Sequence, residues 1–487
     1  MSFKKLGGDF AFYGLIDVVQ RSLSLILVPF FTRVLDKNDF GNLDMFLVLL
    51  SIFSVLIDFQ FISGISRLYL DYVTKGLGSK FAGTVVFFRF YIGIALAILL
   101  SILGFLGFLE TGFIPSFLNN KLTWLLILIF VPISISFEAL MTQARMLRVK
   151  IPFASGAVIS SVITLGGSII TTGLFDWGIT GIVFSMLAGK IIGGLIVYFG
   201  LGNNIQVCVD KKILNPLLMY CMPLIPGWWL GFSATYVSRF FVYDILGPGD
   251  TALLAISMKL QSLIGIFAIS FRSAWLPLAM TLIEDKGGDS FYIRSTRLFI
   301  SGGFLVTFLL TVFIYPIMTI IAPSGYQDVG LTFALFSLGC IIGEVESNLQ
   351  LGCQIAKKTI WITFGSIVSF LISMFILYSY TSQMGIRAAG LALFLSSLGR
   401  IILTYLSSQF YRYIPYDNKS FFMFGLGSLV LLFNVQINEL LSIPILYWRG
   451  ILLFLGLYFS YSILGKSEIQ AIRKAFQSIK LSKNSIT

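Results

Sequence analysis

Apolar residues fall along this chain in long runs separated by short polar breaks. A hydrocarbon core about 30 Å thick takes about 20 helical residues at about 1.5 Å each. On that ruler fourteen segments are predicted to be transmembrane helices: 10–34, 43–66, 81–107, 122–141, 154–174, 179–200, 215–237, 251–273, 298–321, 329–352, 360–380, 387–409, 420–436 and 445–464. Asn434, Gln436, Asn438 and Glu439 shorten the run between the last two. The connections are short, the longest outer one being near 108–121, so no soluble domain is expected on either face. The first ten residues lack a signal-peptide cleavage pattern, and the first apolar segment is expected to remain as a span.

The pattern repeats at an offset near 210. QARMLRVKIPFASGAVISSVI from Gln143 is echoed by QIAKKTIWITFGSIVSFLI from Gln354, and GITGIVFSMLAGKIIGGLIVY (178–198) by GIRAAGLALFLSSLGRIILTY (385–405). Lys190 and Arg400 thereby hold equivalent places, and Arg89 and Arg297 are spaced similarly. Six spans per repeat leave both copies in the same orientation, as in transporters with two parallel halves. The expected fold is an all-α polytopic membrane protein of about fourteen transmembrane helices. It has two six-helix pseudo-symmetric lobes, 1–200 (helices 1–6) and 201–410 (helices 7–12), a helix pair over 411–464 and a basic cytoplasmic tail over 465–487. A site between two such lobes suits alternating access.

Composition narrows the chemistry. The chain has 487 residues, 57% hydrophobic and only 11% charged, with a mean hydropathy of +0.92. Charge that sparse does not cover a water-facing surface, which excludes a soluble multidomain enzyme. There is no His, so His-based acid–base catalysis and His metal sites are excluded. The four Cys form no CxxC and no GxxxxGK[ST] occurs, so no metal, cofactor or built-in ATPase is expected. The net charge of +12 is a topology signal and does not mark nucleic-acid binding: 22 of the 34 Lys and Arg fall in the even-numbered loops and termini and 6 in the odd-numbered loops. That bias predicts that both termini are cytoplasmic.

The other six cations, Arg21, Arg89, Lys190, Lys259, Arg272 and Arg400, lie inside predicted spans. A charge at mid-bilayer costs about 2.5–3.5 kcal/mol on insertion scales, so it faces a partner or a wet cavity. Asp17, Gln20, Arg21 and Ser24 share one helical face, with Pro29 following. The stripe is either a self-neutralising ion pair or a cavity lining that offers Arg21 to an anion. Lys259 is too deep to snorkel easily, Arg89 is intermediate, and Arg272 either faces the cavity or marks the interface. Lys190 and Arg400, being repeat-related, are either symmetrical structural anchors or ligands. The spanning acids Asp58, Glu344 and Glu346 either neutralise these cations or carry protons through a cycle. The candidate anion-binding residues are therefore Arg21, Lys259, Arg89 and Arg272, the ion-coupling candidates are Asp17, Asp58 and Glu344, and no catalytic residue is expected.

KKILNPLLMYCMPLIP from Lys211, SRFFV from Ser238, Leu246-Gly247, Lys259 and Trp275-Leu276-Pro277 are similar to the seventh and eighth helices of bacterial O-antigen and capsule repeat-unit flippases of the multidrug/oligosaccharidyl-lipid/polysaccharide exporter superfamily. Asp9, Phe10, Gly14, Arg21, Pro29, TRVL from Thr32 and Phe40-Gly41 resemble its first helix and following loop. GISRLYLDY from Gly64 resembles the end of its second helix, and QIAKKT from Gln354 its loop before helix eleven. Ser238 departs from the pattern, since many members carry Asp there. The resemblance implies transfer of undecaprenyl-diphosphate-linked oligosaccharide from the cytoplasmic to the periplasmic leaflet of the bacterial inner membrane. It also implies partners in polysaccharide polymerase and chain-length machinery. Cation-lined helices suit a diphosphate dianion. The alternatives are a cation-coupled multidrug exporter or peptidoglycan-precursor flippase of the same superfamily, and, from another class, a membrane glycan polymerase.

Overall fold

The computed structural model describes residues 3–105, 121–282, 288–326, 329–356, 358, 360–441, 445–465 and 468–470, some helical positions by backbone alone. Among them every regular element is a helix. In hydrocarbon a chain must satisfy its own N–H and C=O groups, and a helix does so within each apolar run. Eleven described helices or helix runs are long and apolar enough to cross a membrane, and the protein is a polytopic membrane protein. The remaining three predicted spans coincide with α1, α8–α9 and α18, defined below.

The chain divides by packing into two compact units, Met1–Ala255 and Ile256–Thr487. The first contains α1 (Phe3–Val34), α2 (Lys37–Asp58), α3 (Phe61–Thr74), α4 (Gly78–Phe105), α5 (Lys121–Met146), α6 (Lys150–Gly173), α7 (Gly178–Leu201), α8 (Lys211–Cys221), α9 (Ile225–Leu246) and the first turns of α10 (Pro248–Thr281). The second contains the rest of α10, then α11 (Gly288–Val312), α12 (Ile314–Ile321), α13 (Gly330–Leu349), α14 (Leu351–Ile355), α15 (Ile360–Met384), α16 (Arg387–Tyr411), α17 (Asn418–Leu441) and α18 (Ile445–Ile463).

The repeat in the sequence reappears in the helices. Shifting α4, α5, α6 and α7 by about 210 positions lands them on α11, α13, α15 and α16. Their pairings recur too: α4 with α5, α5 with α7 and α6 with α7 in the first unit, and α11 with α13, α13 with α16 and α15 with α16 in the second.

Among the described residues four predicted spans are broken, the tenth only at Gln350 between α13 and α14. The segment 43–66 divides at Phe59 and Gln60, both left-handed (φ 46° and 56°). This ends α2 and turns the chain into α3, whose Phe61, Ile65 and Tyr69 pack on Phe81 and Val85 of α4 and Ile213 and Leu217 of α8. The seventh segment is interrupted by a 3-10 turn at Met222–Leu224, where Pro223 and Pro226 remove backbone donors. The two breaks touch: Cys221 Sγ lies 3.6 Å from the Gln60 carbonyl. The ninth segment divides at Phe313 into α11 and α12.

The apolar centre of the first unit is built around α5. Phe130, Val131 and Ile135 meet Phe46, Leu49 and Leu50 of α2, Ala97 of α4, and Val183 and Leu187 of α7. Small residues set the α6–α7 crossing. A Cβ on Gly193 would lie 2.6 Å from the Gly156 carbonyl oxygen, and one on Gly189 would lie 2.5 Å from that of Ser160. Close approach through small residues is the usual device for packing helices in lipid.

Candidate functional site

Both units carry charge inside their helices. In the first, Asp58 ends α2 just before the left-handed break, and its carboxylate accepts a 2.6 Å hydrogen bond from Arg89 Nη2 on α4. Arg89 is 1% exposed. Its Nε and Nη1 have no hydrogen-bond partner among the described residues. Lys190 of α7 donates to Ser134 Oγ of α5 at 2.7 Å, with its ammonium 5.4 Å from the Phe130 ring and 5.8 Å from Phe137.

A further pair ties α2 to α9. Arg239 Nε donates to Asp44 Oδ2 at 2.8 Å, both side chains being buried, and the guanidinium lies 5.1 Å over the Tyr236 ring. One turn on, the Tyr243 hydroxyl donates to Asn42 Oδ1 at 2.8 Å. Gly41 permits the approach, because a Cβ there would stand 1.8 Å from the Pro248 carbonyl oxygen. Beside this pair is an apolar slot of about 210 Å³, lined by Ile52, Val55 and Leu56 of α2 and Trp229, Phe232 and Tyr236 of α9.

In the second unit the charges form a chain through α13. Arg272 Nη1 of α10 lies 3.5 Å from Glu344 Oε2, and Arg400 Nη2 of α16 lies 3.4 Å from Glu346 Oε2. Arg400 also donates to the Gly343 carbonyl at 3.3 Å. Residues 344 and 346 are two apart on a helix, so their side chains leave in nearly opposite directions and meet cations on different neighbours. The two pairs differ in burial: the Arg272 side chain is 48% exposed and Glu344 22%, whereas Glu346 is 7% exposed.

The sequence-predicted residues therefore fall into distinct settings. Arg89 meets Asp58, and Arg272 meets Glu344. Lys259 lies on α10, part-buried, on the same helix as Arg272. Asp17 and Arg21 belong to α1, but their side chains lie outside the described residues. On the same stripe, Gln20 Nε2 donates to the Ala157 carbonyl of α6 at 3.3 Å. Arg297, spaced like Arg89 in the repeat, pairs with Asp417 at 3.1 Å and Glu468 at 3.8 Å. The Asp44–Arg239 pair has no local sequence signal, since its members are 195 positions apart. The Arg400–Glu346 pair was signalled only by two spanning charges of opposite sign.

A half-exposed guanidinium held by one loose carboxylate contact can receive an anion. A guanidinium enclosed with its acid, as in Arg89–Asp58 and Arg239–Asp44, already has its charge balanced within the protein.

Residues 6–282 match the family described as polysaccharide biosynthesis protein. No curated protein sequence matches the chain. Among solved structures, the lipid II flippase MurJ in an inward closed conformation superposes with a TM-score of 0.69 at 17% identity, over 92% of this chain and 97% of that one. An inward-facing multidrug resistance MATE family transporter of the MOP superfamily gives 0.60 at 12% identity, over 80% and 94%. The bent form of the Vibrio cholerae MATE transporter VcmN gives 0.56 at 16% identity, over 84% and 98%.

Proposed function

The chain belongs to the polysaccharide biosynthesis protein family, and from that membership we propose that it is a flippase for undecaprenyl-diphosphate-linked oligosaccharide. It moves O-antigen or capsule repeat units from the cytoplasmic to the periplasmic leaflet of the inner membrane by alternating access, with both termini cytoplasmic. Family membership supports the glycan. The fold shared with MurJ and with MATE transporters supports transport.

The observation that carries the reading at the level of residues is Arg272. It sits at the end of the apolar stretch of α10, 48% exposed and engaged by Glu344 at 3.5 Å without a hydrogen bond. The diphosphate is a compact polyanion between a lipid tail and a glycan. The tail stays in hydrocarbon, and the head needs fixed cations because unshielded charge there is prohibitive. Arg272 supplies one, on the side that the charge bias assigns to the cytoplasm, where loading occurs. Arg21 and Lys259 are proposed as further contacts. Arg89 is proposed to serve the diphosphate only at long range, since its guanidinium is enclosed with Asp58. Polysaccharide polymerase and chain-length machinery would take the product onward.

Complementation tests this. Cells lacking the protein lose surface polysaccharide and accumulate lipid-linked repeat units. The wild-type gene restores polymer, and R272Q, present in the membrane at normal level, does not. Full restoration by R272Q would overturn the role of Arg272. A second reading, transfer of the peptidoglycan precursor, is favoured by the likeness to the lipid II flippase. It predicts accumulation of lipid II instead of repeat units. Normal polymer with drug sensitivity would point to a multidrug exporter.

A further inference from the structure

We propose that the place where the end of α3 and the starts of α4 and α8 meet is a docking site for anionic phospholipid of the cytoplasmic leaflet. Lys75, Lys80, Lys211 and Lys212 take its phosphates, and Val207 and Val209 enter the edge of its acyl region. The site concerns the bilayer around the protein and not the cargo, so it stands apart from the flippase reading. Three elements bring the lysines together. Lys75 caps the C-terminus of α3, Lys80 lies in the first turn of α4, and Lys211 and Lys212 begin α8. All four are exposed. Tyr72 ties the group: its hydroxyl donates to the Lys212 carbonyl at 3.5 Å, and its ring centroid lies 5.7 Å from the Lys75 ammonium. None of the four ammonium groups forms an ion pair among the described residues. Two acids stand nearby. Asp210 Oδ1 accepts from the Lys212 N–H at 2.8 Å and so caps α8, and Asp71 is exposed on α3; four cations against two acids leave the patch positive.

The segment that leads into α8 is fixed so that apolar side chains face outward beside these lysines. Gln206 N–H donates to the Ser79 carbonyl at 3.1 Å, Cys208 Sγ lies 3.8 Å from the Lys80 carbonyl, and Asp210 N–H donates to Thr84 Oγ1 at 3.1 Å. Gly83 lets the segment lie directly on α4, because a Cβ there would collide with the Gln206 carbonyl oxygen. The Cys208 side chain is turned to α4, and its neighbours Val207 and Val209 are 67% and 39% exposed. Basic and apolar side chains held next to each other match one kind of surface. The inner leaflet presents anionic phosphates above hydrocarbon, and a lysine close to such a surface favours association by about fivefold. An apolar side chain at the same depth leaves water for the acyl boundary. An acidic protein or a nucleic acid would answer the lysines and leave the two valines unanswered. The charge bias predicts this face to be cytoplasmic, where that leaflet lies.

Native mass spectrometry tests this on the purified full-length protein, titrated in detergent with equal amounts of phosphatidylglycerol and phosphatidylcholine. Wild type is expected to retain phosphatidylglycerol in preference. K75Q/K80Q/K211Q/K212Q is expected to lower that preference by about fivefold or more. V207S/V209S is expected to retain less of both lipids. K358Q/K419Q, altered at two exposed lysines of the second unit, keeps the wild-type preference. All the altered side chains are exposed, so the variants are expected to elute as wild type does on size exclusion. An unchanged preference in the quadruple variant would overturn the proposal and leave the flippase reading intact. An equal loss in K358Q/K419Q would do the same, by making the preference a matter of total charge. Full retention by V207S/V209S would also overturn it and turn the patch toward an acidic protein or nucleic acid. Displacement of phosphatidylglycerol by farnesyl diphosphate in wild type would give the patch to the cargo, overturning the lipid site while supporting the flippase reading.

Discussion

Asp44 and Arg239, 195 positions apart, form a buried ion pair at 2.8 Å that joins α2 to α9. It is surrounded by supports: the Tyr236 ring beneath the guanidinium, the Tyr243–Asn42 hydrogen bond, and the glycine at position 41 that lets the helices close. Removing one member leaves a buried charge without compensation, which costs about 3–5 kcal/mol, whereas removing both with apolar isosteres costs far less. D44N and R239M are each expected to lower thermal stability sharply. The double variant should recover much of the loss. A double-mutant cycle by thermal unfolding in detergent checks this, and additive losses would show that the pair is not coupled.

Lys190 and Arg400 occupy equivalent repeat positions and reach equivalent helices, α5 and α13, but their partners differ in charge. Lys190 meets a serine hydroxyl and two aromatic rings, whereas Arg400 meets a carboxylate. K190M uncouples only Glu138, whose side chain is exposed, and is expected to change stability by about 1 kcal/mol or less. R400M strands Glu346 and is expected to cost about 3 kcal/mol or more, largely relieved in R400M/E346Q. Equal sensitivity of the two positions would count against this reading.

The α6–α7 crossing depends on the absence of side chains. At Gly193 a Cβ would meet the Gly156 carbonyl at 2.6 Å and the Ser160 Cβ at 2.8 Å, both on a helix that cannot yield locally. G193L is expected to force the helices apart and lose yield of folded protein, with a smaller effect for G193A. At Gly166, where a Cβ meets nothing within 4 Å, alanine is expected to be neutral. Size-exclusion profiles of the three variants separate these outcomes.

Arg89 and Arg272 are both cations within apolar helices, yet they should fail in different ways. Arg89 is 1% exposed and bonded to Asp58 at 2.6 Å, so R89M is expected to reduce folded protein by stranding Asp58, with partial recovery in R89M/D58N. Arg272 is 48% exposed, so R272Q is expected to keep its stability and lose diphosphate binding. Measuring membrane level and farnesyl diphosphate affinity side by side distinguishes a folding residue from a ligand residue.

The sequence by itself determined the class, the helices and the repeat. An apolar run of membrane length has one way to satisfy its backbone in lipid, so the fourteen predicted segments all coincide with helices or helix runs, and the offset of about 210 recurs in both helix limits and pairings. It also determined which charges demanded a partner, because the cost of a bare ion depends on depth and not on neighbours. Which partner each received was left to the tertiary structure. A pairing such as Asp44 with Arg239, or Arg272 with Glu344, joins helices far apart in sequence. It depends on the rotation of each helix about its axis, which small residues such as Gly41 and Gly193 set through packing. The breaks after Asp58 and at Phe313 were hidden for a similar reason. A left-handed residue or a helix restart inside an apolar run changes direction without changing hydropathy, so only the packed neighbours reveal it.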